Sequence, residues 1–133
     1  ESVIDFHNKL KTHQENNKEC SIVYGRFLGA IVSETGESWC CDCTTAKNIF
    51  EIAFKDMSLY SEIEQNMKTV TIFECNVDRT CFRDKENCQY RNDSMIKLTS
   101  VPTLIKFKNG IEIERLDDRK CQELNLISDL FQM

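Results

Sequence analysis

The chain is predicted to fold as an α/β protein, with a central mixed four-stranded sheet covered by helices on both faces. Three observations predict this. Apolar positions switch between helical and strand periodicity in the order α-β-α-β-α-β-β-α. The first two strands flank a long helix, as in a βαβ unit with parallel strands. Asn109-Gly110 separates the last two apolar segments, and both residues tolerate the positive φ of a type I′ hairpin turn.

The elements follow in order. Val3 to Gln14 carries Val3, Phe6, His7 and Leu10 at helical spacing. Ser21 to Leu28 is rich in β-branched and aromatic residues and reads as a strand. Gly29 to Ser38 is a loop with turn signals at Glu34, Thr35 and Gly36. A helix is expected from Cys41 to about Asn66, with a break near Ser58; Ile49, Phe50, Ala53, Phe54 and Met57 are its apolar positions. Thr69 to Val77 is the second strand. Asp78 to Asn87 is expected to be irregular, followed by a short helix from Cys88 to Leu98. Thr103 to Lys108 and Ile111 to Leu116 form the hairpin, with Ile111 and Ile113 alternating against Glu112 and Glu114 as in a strand with one wet face. Asp117 or Asp118 caps a last helix to Phe131 that presents Cys121, Leu124, Ile127 and Phe131 on one face.

A length of 133 residues suits one domain, residues 1–133, with one core. Hydrophobic residues make up 41% and charged residues 29%, which excludes a disordered chain. No apolar run approaches the roughly 20 residues that span a bilayer, so no membrane association is expected. The net charge is −5 and the cations are scattered, which argues against a nucleic-acid partner. A monomer is expected. No secretory leader pattern opens the chain, and a reducing, cytoplasmic compartment is expected; removal of a leader would make it secreted.

Eight cysteines are many for this length. Cys40, Cys41 and Cys43 crowd together, which fits stapling to distant partners poorly and redox chemistry well. Cys40 and Cys43 form a C-x-x-C pair between an apolar strand and a helix. A helix N-terminus offers unpaired N–H groups and a positive dipole end, both of which favour thiolate over thiol. Cys40 is therefore the candidate nucleophile. Cys43, one turn further in, is the candidate resolving thiol, leaving a Cys40–Cys43 disulfide. Half a zinc site and two unrelated buried thiols are the competing explanations; zinc needs two more ligands at ordered spacing, and no second C-x-x-C or H-x-x-x-H pair is present.

Pro102, the only proline, precedes a strand in Val101-Pro102-Thr103. A cis Val101–Pro102 bond is expected, turning the Val101 backbone towards the cysteine pair so that a substrate strand can pair with it. Trp39, Val101, Pro102 and Thr103 are the candidate substrate-binding residues. Asp42 lies between the cysteines. It either caps the helix or tempers thiolate formation and, with water as the other option, accepts the proton of Cys43.

The Trp39-Cys40-Cys41-Asp42-Cys43 segment with Val101-Pro102-Thr103 resembles thioredoxins in general. It is most similar to the thioredoxin domain-containing protein 17 family, the fourteen-kilodalton thioredoxin-related proteins. That family carries W-C-P-D-C after Gly-x-Ser, and Gly36-Glu37-Ser38-Trp39 stands in that place. Phe82-Arg83-Asp84, the run Leu98 to Leu104 and the tail Cys121 to Phe131 are similar as well. The short strand that such proteins place before the first helix is not found. The resemblance implies a thioredoxin fold and a cytosolic disulfide reductase with no bound cofactor, recharged by thioredoxin reductase and NADPH. It implies action on cystine, certain peptides and selected disulfide-containing proteins, with links to peroxide removal and to dynein light chain. Common thioredoxins place a buried Asp on the strand before the motif, and here Arg26 or a neighbour fills that position.

Cys41 replaces the family's Pro and reads as a bystander, since a Cys40–Cys41 disulfide would be strained. Cys81 and Cys88 are accessory thiols that can form a local disulfide or a regulatory pair. Cys20, Cys75 and Cys121 read as small buried hydrophobes. His7 and His13 fit neither a metal site nor a general base. Two other functions compete with turnover: a redox-dependent binding module, and a metal or iron–sulfur binder built on Cys40, Cys41, Cys43 and a distant cysteine.

Overall fold

The computed structural model describes residues 3–18, 21–64 and 71–131, with side chains in 54–64 outside the description. The elements are α1 (Val3–Asn16), β1 (Ile22–Gly29), α2 (Cys41–Glu64), β2 (Thr71–Val77), α3 (Arg79–Arg83), α4 (Gln89–Asn92), β3 (Thr103–Lys108), β4 (Ile111–Asp117), a 3-10 helix (Asp118–Gln122) and α5 (Leu124–Phe131). The sheet order is β2-β1-β3-β4. β1 runs parallel to β2 and antiparallel to β3, and β3 pairs antiparallel with β4. This is the mixed four-stranded α/β architecture that the sequence pattern predicts.

Alternation along β1 divides the core between two layers. Phe27 points to α1, where its ring lies 5.4 Å from that of Phe6; Phe6 also reaches Phe107 at 5.7 Å. Tyr24 points to the opposite face, with its ring 4.7 Å from that of Phe131 on α5. Arg26 is on that second face, with its guanidinium 5.7 Å from the Phe50 ring of α2. Helices therefore cover both faces, and β1 is central to the core.

Local chemistry explains where the elements depart from expectation. Asp78 accepts a bond from the Thr80 N–H and starts α3 inside the segment read as irregular. The helix expected over Cys88 to Leu98 stops after Asn92. Asp93 takes the Met95 and Ile96 N–H groups at 3.1 and 2.9 Å, turning the chain instead of extending the helix. Asp118 adopts φ 49, so the last segment begins as a 3-10 turn and α5 starts only at Leu124. Cys121, Ile127, Leu130 and Phe131 are buried there, while Leu124 is exposed. Ile111 and Ile113 are exposed on edge strand β4, which is buried only at Leu116. Asn109 and Gly110 have φ of 53 and 81, both positive as a type I′ turn requires.

The α2 backbone runs unbroken through Ser58 to Glu64. The expected apolar side chains of Phe54 and Met57, the helix end at Asn66, the strand start at Thr69 and Cys20 lie outside the description. His7 and His13 act as ties: His7 Nε2 is 2.8 Å from Asp93 Oδ1, and His13 bridges Ser21 Oγ and Thr71 Oγ1 at 2.6 and 3.1 Å.

Candidate functional site

The site forms where β1 ends and α2 begins. After Gly29 the chain leaves the sheet in a short excursion closed by the Ile31–Ser38 bridge and returns at Trp39, whose N–H bonds to Ala30 O at 3.2 Å. Ser38 then fixes the approach to the motif. Its hydroxyl donates to Gly29 O at 2.7 Å and accepts from the Cys40 N–H at 3.1 Å. The Trp39 indole N–H donates to Val77 O at 2.8 Å, so the ring is anchored to the end of β2.

Cys40 immediately precedes α2 and is half-buried, whereas Cys43, one turn in, is 1% exposed. The Cys43 N–H points at Cys40 Sγ from 3.3 Å, placing a helix N-terminal dipole against that sulfur. Cys43 Sγ is buried behind Cys40 in the first turn of α2. It accepts the Gly29 N–H at 3.2 Å. Burial, and next the neighbouring Cys40 side chain, push the Cys43 thiol well above its ordinary value, and the Gly29 N–H opposes them only in part. Cys43 is thus held as a protonated thiol behind the more accessible Cys40.

Val101–Pro102 is a cis bond. The Cys40 thiol donates to Val101 O at 3.6 Å, so the loop before β3 directly faces the cysteine pair. Thr103 is fully buried with its hydroxyl on Ser100 O at 2.8 Å. It shapes that loop from beneath, and no side-chain contact to a substrate falls to it. Asp42 and Cys41 are both exposed on the first turn of α2. The Asp42 carboxylate is therefore on the solvent side, away from the buried environment of Cys43.

A groove of about 330 Å³ lies on the other side of Cys43, lined among others by Gly29, Cys43, Lys47, Glu74 and Asn76. Arg26 Nη2 is 2.7 Å from Glu74 Oε1 across the β1–β2 pair. This contact is a close ion pair without good hydrogen-bond alignment, since that oxygen and Arg26 Nε have no aligned partner among the described residues. Arg26 and Glu74 thus place a charged pair across β1, which leads to the motif, and its neighbour β2.

The remaining cysteines among the described residues divide into two groups. Cys75 and Cys121 are buried; burial pushes the Cys121 thiol up to about 12, and it donates to Leu116 O at 3.0 Å. Cys81 and Cys88 face each other with their sulfurs 3.3 Å apart. Among the described residues, no group of three His, Cys, Asp or Glu side chains is arranged to hold a metal ion. No helix among them is long and apolar enough to cross a membrane. The parts that sequence reasoning missed are Gly29 and Glu74. The signal for Gly29 was its place at the end of the central strand; Glu74 became visible only when β2 paired in register with β1.

The sheet order, with a dithiol at the start of the helix that follows the central strand, is the thioredoxin fold, and its site has a thiol redox role. The sequence profile of the family described as "Thioredoxin domain-containing protein 17-like, thioredoxin domain" matches residues 2–133, and the chain belongs to that family. It is 28% identical over 123 residues to the "Thioredoxin-like protein Clot" of Arabidopsis thaliana, covering 92% of this chain and 83% of that protein. It is 30% identical over 97 residues to the protein of the same name from Oryza sativa subsp. japonica, covering 69% of this chain and 63% of that one. Among solved structures, a mutant thioredoxin from Halobacterium salinarum NRC-1 aligns with a TM-score of 0.47 and 14% identity, covering 88% of this chain and 77% of that one.

Proposed function

We propose that this protein is a disulfide reductase in which Cys40 attacks and Cys43 resolves. The Cys40 thiolate attacks one sulfur of a substrate disulfide, forming a mixed disulfide and expelling the first substrate thiolate. Cys43 then loses its proton and attacks Cys40 Sγ. This forms the Cys40–Cys43 disulfide and expels the second substrate thiolate, so two electrons pass from the protein to the substrate. The observation that carries this reading is the pairing of a half-buried Cys40 with a buried Cys43 whose backbone N–H points at Cys40 Sγ from 3.3 Å.

The groove beside Cys43 supports water as the acceptor of its proton. Asp42, exposed on the first turn, tunes the pair through its charge alone. Val101 docks an extended substrate through its backbone, because Val101 O lies against Cys40 Sγ. Pro102 and Trp39 shape the surface around that contact, and Thr103 supports it. Cystine, disulfide peptides and selected disulfide-containing proteins are the proposed substrates, including those formed during peroxide removal. Thioredoxin reductase with NADPH is the proposed electron source, which makes the cytoplasm the proposed compartment.

The test is the oxidation of NADPH by cystine in the presence of the full chain and thioredoxin reductase. Steady turnover that disappears in Cys40→Ser is expected. No NADPH use with cystine, disulfide peptides or an insulin-type disulfide would overturn turnover and leave a redox-dependent binding module.

A further inference from the structure

We propose that Cys81 and Cys88 form a second redox pair, converted to an internal disulfide by exchange with a low-molecular-weight disulfide, and that this bond fixes the Phe82 wall beside Trp39. The inference goes beyond the proposed reductase activity and does not need it.

The two thiols are already in register. Cys81 is on α3, Cys88 immediately precedes α4, and the Cys81 thiol donates to Cys88 Sγ at 3.3 Å. The intervening loop is held from both ends. Asp84 N–H bonds to Cys81 O at 3.1 Å and Cys88 N–H to Asp84 O at 2.9 Å. The Asn92 side-chain amide caps Glu86 O at 2.8 Å and Cys88 O at 3.0 Å. The chain entropy of closing this loop is therefore already lost before any bond forms.

The pair repeats the asymmetry of the first site. Cys81 is half-buried and Cys88 is 1% exposed, so an incoming disulfide meets Cys81 first. Cys81 thiolate plus RSSR gives Cys81–S–SR and one RS⁻. Cys88, on losing its proton, attacks Cys81 Sγ, forms the Cys81–Cys88 bond and releases the second RS⁻. The protein dithiol is oxidised by two electrons and the small disulfide is reduced to two thiols. Burial, and next the hydrogen bond to Cys88, push the Cys81 thiol up to about 11, which keeps this exchange slow at neutral pH. Sustained exposure to disulfide, rather than each catalytic cycle, would oxidise it.

The consequence reaches the first site through Phe82. Its ring lies 5.8 Å from that of Trp39, the residue before Cys40. Arg91, on the helix that Cys88 precedes, lies 3.8 Å over the Phe82 ring and donates to Phe82 O at 2.7 Å. A Cys81–Cys88 bond joins the two segments that grip Phe82.

The full chain and its Cys40→Ser/Cys43→Ser variant are incubated with glutathione disulfide, acid-quenched, alkylated and mapped by mass spectrometry. A Cys81–Cys88 cross-linked peptide is expected in both proteins, forming about tenfold faster per pH unit between neutrality and pH 9, as the thiolate fraction rises. In Cys88→Ser, glutathione is expected to stay on Cys81. Trp39 is the only tryptophan; in the double variant its quenching by acrylamide is expected to fall once the cross-link forms. Separate alkylation of Cys81 and Cys88 after treatment of the full chain would overturn the pair, whether or not the serine variants fold. Unchanged Trp39 quenching in the cross-linked protein would overturn the link to Phe82.

Discussion

The backbone N–H of Gly29 points at Cys43 Sγ from 3.2 Å, so the central strand ends directly on the buried sulfur of the pair. The same residue lies under the whole motif. A Cβ on Gly29 would stand 2.9 Å from Ser38 Oγ and from the Trp39 ring, and 3.0 Å from Cys40 Cβ. The strand and the motif are thus in contact at a place where only glycine fits without a shift.

Gly29→Ala therefore has to displace Ser38, Trp39 and Cys40 together. Overpacking of this kind costs about 1–3 kcal/mol. Denaturant unfolding is expected to show that loss, and disulfide turnover is expected to fall by more than the stability change accounts for. Wild-type turnover in Gly29→Ala would show that the close approach has no part in aligning the pair.

Stability should decline on the alkaline side. Burial holds the Cys43 and Cys121 thiols above their ordinary value of 9.0, Cys121 at about 12. The folded values exceed the unfolded ones, so their contribution is complete below pH 9 and is lost as the pH rises from there towards the folded values. Each thiol lowers stability by about 1.4 kcal/mol per pH unit in that window. Urea unfolding of the reduced protein across this range should show the decline, and Cys121→Ala should make it shallower. A flat profile would contradict the burial of these thiols.

The acid side tests the tie between α1 and the loop that ends α4. Burial works to raise the Asp93 carboxyl. The His7 hydrogen bond and the Ile96 and Met95 N–H groups outweigh it and hold the carboxyl below 3.8. A depressed folded value gives stability that is present above the unfolded value and lost as the pH falls through the folded one. Asp93→Ala is expected to cost about 2 kcal/mol near neutrality, the scale of hydrogen bonds to a charged acceptor. It should also remove part of the stability loss seen below pH 3.8. Thermal melts of both proteins at neutral and acid pH check this, and equal stability at neutrality would refute it.

Asp42→Asn should change little. The carboxylate is exposed, and exposed charge interactions are worth about 0.2–1 kcal/mol, or a rate change of roughly fivefold at most. The pH profile of disulfide reduction is expected to keep its shape. Loss of a limb of that profile in Asp42→Asn would make Asp42 the proton acceptor in place of water.

Cys41→Pro is expected to stabilise the protein by about 0.4–1 kcal/mol, since proline suits the first helical position and restricts the unfolded chain. Cys41 is exposed at that position. The reduction potential of the Cys40–Cys43 pair should remain unchanged, and a shifted potential would give Cys41 a part in the exchange.

The features legible in the sequence are those written in neighbouring residues. Ile22 to Leu28, Asn109-Gly110 and the spacing of Cys40 and Cys43 all carry their signals locally. The segment from Asp78 to Leu98 departs from its sequence pattern because competing side-chain caps decide it: Asp78 starts a helix and Asp93 takes backbone N–H groups that a longer helix would have used. Asp118 at positive φ breaks the last helix in a way that its apolar spacing does not reveal. Glu74 joins the site only through pairing of β2 with β1, a contact between distant residues. Gly29 lies within the local sequence, but its N–H could be assigned to Cys43 only once α2 was docked.

The most direct test of the central claim is to trap the mixed disulfide in Cys43→Ser. Reduced Cys43→Ser, treated with a disulfide peptide and acid-quenched, should carry one peptide per chain on Cys40, and the same treatment of wild type should release the peptide and leave the Cys40–Cys43 disulfide. A stable adduct on any other cysteine, or a Cys40 that takes up no peptide, would contradict the account.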